Sequence, residues 1–297
     1  MREEKFKFLK KYKTVLLVIA SFALLDAVIW YFILFPKEKG NLELYFLDVG
    51  QGDSQLVNLP SAGAPGVQVL IDGGPANSKI LSELAEILPA TDTYIDLIVI
   101  SHPQLDHFGG LIDVLEKYGV GAFIGNGRKG ETESYQVLIE TLKEKQVPYI
   151  VLGEGDKIKY RDSIFLVLAP NEQNLLSKEI NDTSLILMLE QEGLRTLYTG
   201  DIGFSVEKQL VQKYDLQSQI LKVPHHGSKF SSSREFLEKV KPQLAVIGVG
   251  KNSYGHPTKE ALQRLGEGGG RIFRTDNNGT VKVAVNNDSL SVYAEKP

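Results

Sequence analysis

Apolar and polar positions along this chain alternate in short bursts. LELYFLDV, DSQLVNL, VQVLIDG, DLIVIS, SIFLVLA, SLILMLE, RTLYTGD, QILKVP, LAVIGV and VKVAV are rich in Val, Ile, Leu, Tyr and Phe and are bounded by turn residues, the pattern of buried or half-buried strands. Between some of them apolar residues recur every three or four positions, in SKILSELAEIL, GGLIDVLEKYG, ETESYQVLIETLKEK, SVEKQLVQKY, SREFLEKV and TKEALQRL, which predicts helices. Early strands follow one another like hairpins and later ones alternate with helices, with no internal repeat or low-complexity linker. One α/β domain over residues 41–297, with two sheets and outer helices, is expected.

One apolar run is of a different kind. TVLLVIASFALLDAVIWYFILF, residues 14–35, would be roughly 33 Å long as a helix, enough for a hydrocarbon core of about 30 Å. Asp26 within it costs about 3 kcal/mol on insertion scales, whereas its Val, Leu, Ile and Phe residues return about 6 in all. The run ends in Ile-Trp-Tyr-Phe-Ile-Leu-Phe-Pro, without the small residues of a cleavage site, so an uncleaved anchor is expected over a signal peptide. Residues 1–13 form a basic tail. Six Lys/Arg precede the run and two follow it, which predicts a single-pass protein of the cell membrane with its N-terminus cytoplasmic and its domain extracytoplasmic.

Charge and composition narrow the chemistry. There is no cysteine among the 297 residues, so thiolate metal sites and cysteine nucleophiles are excluded and any transition metal must be held by nitrogen and oxygen. The chain carries −4 overall, while residues 1–40 hold eight basic and four acidic groups; the domain is therefore acidic and has no global attraction for nucleic acid.

The polar clusters sit just after predicted strands, at the edge where α/β folds gather ligand sites: SHPQLDH after DLIVI, GD after RTLYT, PHHGS after QILKV, YGHP after LAVIGV. All five histidines, His102, His107, His225, His226 and His256, fall in such loops beside acids. Neutral imidazole and carboxylate together are the usual ligands of zinc and manganese. In SHPQLDHFGG, His102, Asp106 and His107 are spaced to aim at one locus on a loop opening into a helix; capping of that helix is the other reading of Asp106. His225 and His226 would point in opposite directions on an extended segment, so at most one is expected to reach a metal; the other would donate to an oxyanion, act as general acid or bond to backbone. Ser228 and Lys229 offer hydroxyl and cationic contacts to phosphate.

The decapeptide resembles the HxHxDH signature of the metallo-β-lactamase superfamily, and more specifically the SHxDxDHxGG version in the C-terminal domain of ComEC-type DNA-uptake proteins. LDVGQGDS, VLIDGG, NDTSLIL, YTGDI, LKVPHHGSKFSSS, SYGHP and FRTDNNGTV match further pieces in order. The resemblance implies a four-layer αββα sandwich, here preceded by one transmembrane helix, and hydrolysis by metal-bound hydroxide. It implies that His102 belongs to a first metal site, that Asp106, His107 and His256 belong to a second, that Asp201 bridges them and that Asp72 orients the metal-binding loop. Asp106, His225 and His226 become the expected catalytic groups, and Asn181, Lys222, Ser228 and Tyr254 the expected substrate contacts. Gln104 departs from the family pattern, which has histidine or aspartate there. A neutral amide is a weak ligand, so one or two divalent ions, Zn or Mn, are expected, with the second site favoured.

The expected activity is hydrolysis of a phosphodiester such as DNA, with Asp106 or Asp201 orienting the nucleophile. A degenerate binding module, marked by Gln104, and a hydrolase of a small ester, lactone or β-lactam are the alternatives.

Overall fold

The computed structural model describes residues 2–34, 40–61, 66–286 and 289–296. They form two compact units, one of residues 2–34 and 40 with 60, 61 and 66 and one of residues 41–59 with 67–286 and 289–296. The first contains α1 (Arg2–Leu34), a single unbroken helix, so the expected basic tail and apolar run share one element. Its described side chains over residues 15–31 are exposed, Leu16, Leu17, Phe22, Leu24, Trp30 and Tyr31 among them. Among the described residues no helix is long and apolar enough to cross a membrane. Phe35, the last residue of the expected span, and residues 36–39 lie outside the described residues.

The second unit is built on two sheets. The first holds β1 (Leu42–Phe46), β2 (Gln55–Leu59), β3 (Val67–Ile71), β4 (Tyr94–Val99), β5 (Gly119–Gly125) and β6 (Tyr149–Val151). The second holds β7 (Lys157–Tyr160), β8 (Ser163–Ala169), β9 (Ile186–Gln191), β10 (Leu194–Tyr198), β11 (Ile220–Lys222), β12 (Leu244–Ile247) and β13 (Arg271–Arg274). The chain then returns to the first sheet through β14 (Val281–Asn286) and β15 (Ser289–Ala294), giving the orders β15-β14-β1-β2-β3-β4-β5-β6 and β13-β12-β11-β10-β9-β8-β7. Each sheet is antiparallel on one side and parallel on the other, from β3 to β6 and from β10 to β13. Hairpins followed by strand–helix units therefore occur twice, where the sequence pattern suggested one such succession.

Alternation along the strands makes the layers. Leu187 and Leu189 of β9 join Leu44, Val69 and Val283 of the first sheet in the core between the sheets, while Ile186 and Met188 face outward, as a period of two requires. The outer face of the first sheet is covered by α2 (Lys79–Ile87), α3 (Leu105–Lys117) and α4 (Glu133–Glu144), through residues such as Leu84, Leu111 and Leu138. Beyond the one-turn α5 (Glu172–Leu175), the second sheet is covered by α6 (Phe204–Lys213), α7 (Arg234–Val240) and α8 (Lys259–Glu267), through Leu210, Phe236 and Leu265. A last turn of helix, α9 (Thr275–Asn278), leads into β14. The result is the expected four-layer αββα sandwich. All ten expected strands are present; β5, β6, β7, β13 and β15 are additional, the first four being short or interrupted by glycine or charge and β15 carrying polar serines at its start.

Helix α3 starts four residues earlier than its apolar period suggested, so Gly109 and Gly110 lie inside it. A Cβ on Gly110 would come 2.3 Å from the Gly73 carbonyl oxygen, so the missing side chain is what lets the helix seat against the loop after β3. Alanine is the better helix former by about 1 kcal/mol, but overpacking against backbone costs about 1–3 kcal/mol. Gly110→Ala is therefore expected to lower the denaturation midpoint. Gly266→Ala in α8, where an added Cβ meets nothing within 4 Å, is expected to raise it. Urea denaturation of the two variants checks both signs.

Candidate metal centre

Five segments converge on one end of the sandwich. The β1–β2 connection brings Asp53, the end of β3 brings Asp72, and the end of β4 leads through Ser101 and His102 into α3 with Asp106 and His107 in its first turn. The turn after β10 brings Asp201. After β11 a 3-10 turn, Pro224–Gly227, carries His225 and His226. Both of these histidines have left-handed backbones, at φ 52° and 51°, a conformation that costs an ordinary residue of the order of 1–2 kcal/mol. An extended segment would send the two rings to opposite sides; this turn does not, and both face Asp201.

Asp53, His107, Asp201 and His226, all buried, offer ligand atoms within 4.8 Å of one another. His107 Nε2 lies 3.4 Å and His226 Nε2 3.3 Å from Oδ2 of Asp201, and His226 Nε2 lies 3.3 Å from Oδ2 of Asp106. His225 Nε2 stands at 4.0 Å from the same Asp201 oxygen. The other ring nitrogens are committed. Nδ1 of His107 donates to Asp72 Oδ2 at 2.9 Å, and Nδ1 of His226 donates to the Gly248 carbonyl at 2.8 Å. Asp72 is itself fixed by the Ser101 amide and hydroxyl, each donating at 2.7 Å. Such anchoring fixes the ring orientation and turns each Nε2 toward the acids. Neither Nε2 makes a hydrogen bond among the described residues.

These spacings are those of a ligand shell. Nitrogen and oxygen ligands at 2.0–2.2 Å in a tetrahedron lie roughly 3.4 Å apart, and the three contacts of Asp106, His107, Asp201 and His226 match that edge. Asp53 is different: it lies on the Nδ1 side of both rings, 3.9 Å from His107 and 3.6 Å from His226, and its carboxylate is bonded to the Lys222 ammonium. His102 is different again. Its Nε2 donates to Gln104 Oε1 at 3.1 Å, so the nitrogen that would ligate a first ion is satisfied inside the chain.

Charge follows the same division. Burial pushes the pKa values of His107 and His226 down, but the surrounding carboxylates, Asp201 foremost, outweigh it and hold both well above the ordinary value. Burial would raise Asp106 and Asp201, yet the imidazoles outweigh it, bringing Asp106 down to about 2 and Asp201 well below the usual carboxylate range. Burial dominates for the other three histidines. His102 falls to about 4, and His225 and His256 are also lowered.

The residues singled out in the sequence distribute as follows. Asp106, His107 and Asp201 come together, and Asp72 stands behind His107. His226 is the histidine that lies against Asp106 and Asp201, while the ring centre of His256 lies 6.5 Å from that of His226 and 5.4 Å from that of His225. Asp106 does not cap α3; the N-cap is Gln104, without a side-chain bond. His107 lies within the helix rather than in a loop. The Asn181 main-chain carbonyl accepts from Ser184 Oγ, which is 3.4 Å from His102 Nδ1, while the Asn181 side-chain oxygen is buried without a hydrogen bond among the described residues. Tyr254 is 72 % exposed beside His256. Lys222 and Ser228 are not open to substrate as expected: both are buried, the lysine because it faces the layer between the sheets, and the serine with its Oγ accepting from the Phe230 amide. Asp53 was not singled out at all. A lone lysine in the apolar run QILKVP was the available signal for a buried acid facing it.

A family model described as the metallo-beta-lactamase superfamily matches residues 48–251. The chain is 30% identical over 286 residues to ComE operon protein 3 of Bacillus subtilis (strain 168), covering 90% of this chain and 36% of that protein. It is 30% identical over 242 residues to competence protein ComA of Neisseria gonorrhoeae, covering 80% of this chain and 31% of that one. The chain thus spans about a third of the length of the curated relatives it matches. Among solved structures, the metallo-beta-lactamase fold protein YhfI of Bacillus subtilis superposes with a TM-score of 0.54 at 12% identity, covering 82% of this chain and 100% of that one. CmlA, a diiron beta-hydroxylase from Streptomyces venezuelae, superposes at 0.52 and 12%, covering 84% and 55%. The chain belongs to the metallo-beta-lactamase superfamily, with competence proteins among its relatives.

Proposed function

We propose that this protein is a metal-dependent hydrolase that holds one divalent ion, Zn or Mn, between Asp106, His107, Asp201 and His226, and that it acts on phosphodiesters such as DNA. The observation that carries the reading is the pair of buried, unbonded Nε2 atoms of His107 and His226 turned onto Asp201 at ligand-edge spacing. A bound ion supplies a Lewis acid that makes water nucleophilic at neutral pH. The chain supplies the rest. Asp106, with a third of its side chain exposed, is the acid nearest to solvent and the one placed to orient water. His225 is half-buried and held neutral at pH 7, which suits it to donate a hydrogen bond to a phosphoryl oxygen. Exposed Tyr254 and Phe230, the latter under the Lys229 ammonium at 5.0 Å, offer aromatic and cationic contact on the surrounding loops, and the resemblance of SHPQLDHFGG to the DNA-uptake version of the signature supports nucleic acid as substrate. The single-ion reading rests on the His102–Gln104 bond. The same bond favours a second reading, a binding module without catalysis.

We also propose that the apolar run of residues 14–35, which extends beyond the described part of α1, anchors the chain in the cell membrane, N-terminus inward. Its exposed apolar side chains and the aromatic pair Trp30–Tyr31 support this.

Metal analysis and phosphodiester assays separate the readings. The wild-type chain is expected to carry one ion and to cleave labelled single- or double-stranded DNA. Asp201→Asn should lose the ion and at least about 100-fold in rate, since even outer-shell changes cost 10–100-fold. His225→Ala should keep the ion and lose about 100-fold. Gln104→Asp should take up a second ion. A wild-type chain that binds metal but cleaves neither DNA nor a small phosphodiester favours the binding module.

Stability of the metal-free protein should peak near pH 6.5. Above it, folded His107 and His226 keep protons that the unfolded chain, with histidine near 6.5, has released, so stability falls as pH rises toward their raised values. Below it, the unfolded chain protonates His102, His225 and His256 first, and stability falls with pH. Loading with Zn or Mn should remove the alkaline decline, because the ion takes the place of the two protons. Thermal melts across pH, with and without metal, read this.

The anchor has its own check: the full chain should stay with the membrane pellet after carbonate extraction and be released when residues 1–40 are removed. Recovery of the full chain in the carbonate supernatant would contradict it.

A further inference from the structure

Lys222 is the one fully buried lysine whose role the proposed reaction leaves open among the described residues. It ends β11 and, following Ile220 by two residues, points into the layer between the sheets. Its side chain is 2 % exposed. The ammonium is bonded to Asp53 across that layer, donates to the Gly200 carbonyl at 3.0 Å and stands 3.6 Å from Oδ1 of Asp201. Asp53 is tied in by its main chain as well. Its amide donates to the Asp106 carbonyl at 3.2 Å and its carbonyl accepts from the Gly74 amide at 2.8 Å, while its carboxylate backs the Nδ1 sides of His107 and His226. By main or side chain, the pair therefore touches or backs Asp106, His107, Asp201 and His226. A buried ion pair is weak as a source of stability, since desolvation consumes the Coulombic gain. Neither group reaches solvent, so neither contacts substrate.

We propose that Lys222 and Asp53 are positioning residues for the metal centre. The Lys222 ammonium donates to the Gly200 carbonyl and places its charge 3.6 Å from Oδ1 of Asp201, beyond hydrogen-bond reach, so that Oδ2 is the oxygen presented to the Nε2 atoms of His107 and His226. Asp53 is the counterion that holds the ammonium there and spans the gap between the two sheets. The proposal rests on the metal-centre reading and adds to it the part that lies beneath the ligands.

The test removes the pair together. In the double variant Lys222→Met with Asp53→Asn, the fold is expected to persist with a melting temperature within a few degrees of wild type. The single Lys222→Met variant, which strands a buried carboxylate, should melt well below the double. Mn²⁺ or Zn²⁺ affinity of the double variant, measured by calorimetric titration, should fall 10–100-fold, and the visible spectrum of the Co²⁺-loaded protein should change as Asp201 turns. A double variant with wild-type affinity and an unchanged cobalt spectrum overturns the positioning role. So does a double variant that fails to fold, because the pair would then serve the fold. A wild-type chain that takes up none of these ions defeats the metal-centre reading itself, a result distinguishable from either.

Discussion

The structure turns on a concentration of negative charge at one end of the sandwich. Asp53, Asp72 and Asp201 are buried and Asp106 is partly so, all close to His107 and His226. Isolated buried carboxylates are costly. Lys222 offsets one of them, leaving a net charge of minus three. Two imidazolium protons, on His107 and His226, bring this to minus one; so does one divalent ion with both imidazoles neutral. Proton pair and ion are electrostatically interchangeable, and the raised pKa values of those two histidines express the same demand for positive charge that an ion would meet. In the proposed reading, metal uptake and proton release would be one process.

The fold delivers these groups by repetition. Each sheet has a parallel half, and the loops leaving its strands open toward the same end, so His102, Asp106 and His107 come from the first sheet while Asp201, His225 and His226 come from the second. Lys222 and Asp53 link the two halves beneath them. Close seating of α3, which Gly110 permits, sets where Asp106 and His107 sit relative to the second sheet. Packing and chemistry are therefore joined at the same few residues.

Much of this was legible in the sequence. Strands such as SLILMLE and LAVIGV announce themselves because both faces are buried, and the polar clusters that follow strand ends mark the functional edge. GVGAFIG was not legible as β5, because its glycines dilute the apolar signal, nor was KIKY, a short strand of alternating lysines. At the site, SHPQLDH and TGD pointed to Asp106, His107 and Asp201, which the structure brings together, and to His102, which it pairs with Gln104 instead. That one of His225 and His226 would reach the centre was expected; that both rings turn toward Asp201 was not, because it depends on two consecutive left-handed residues that nothing in PHHGS demands. Asp53 escaped for another reason: its partner lies 169 positions away, and only the sandwich brings them together. Gln104 was legible as a departure, and the structure gives it a physical meaning in its bond to His102.

The most direct test of the account is anomalous diffraction from crystals of the chain grown with Zn²⁺ or Mn²⁺. One peak bounded by Nε2 of His107, Nε2 of His226 and carboxylate oxygens of Asp106 and Asp201 is the expected result. A peak lodged instead between His102 and Gln104, or none at this edge of the sandwich, would contradict it.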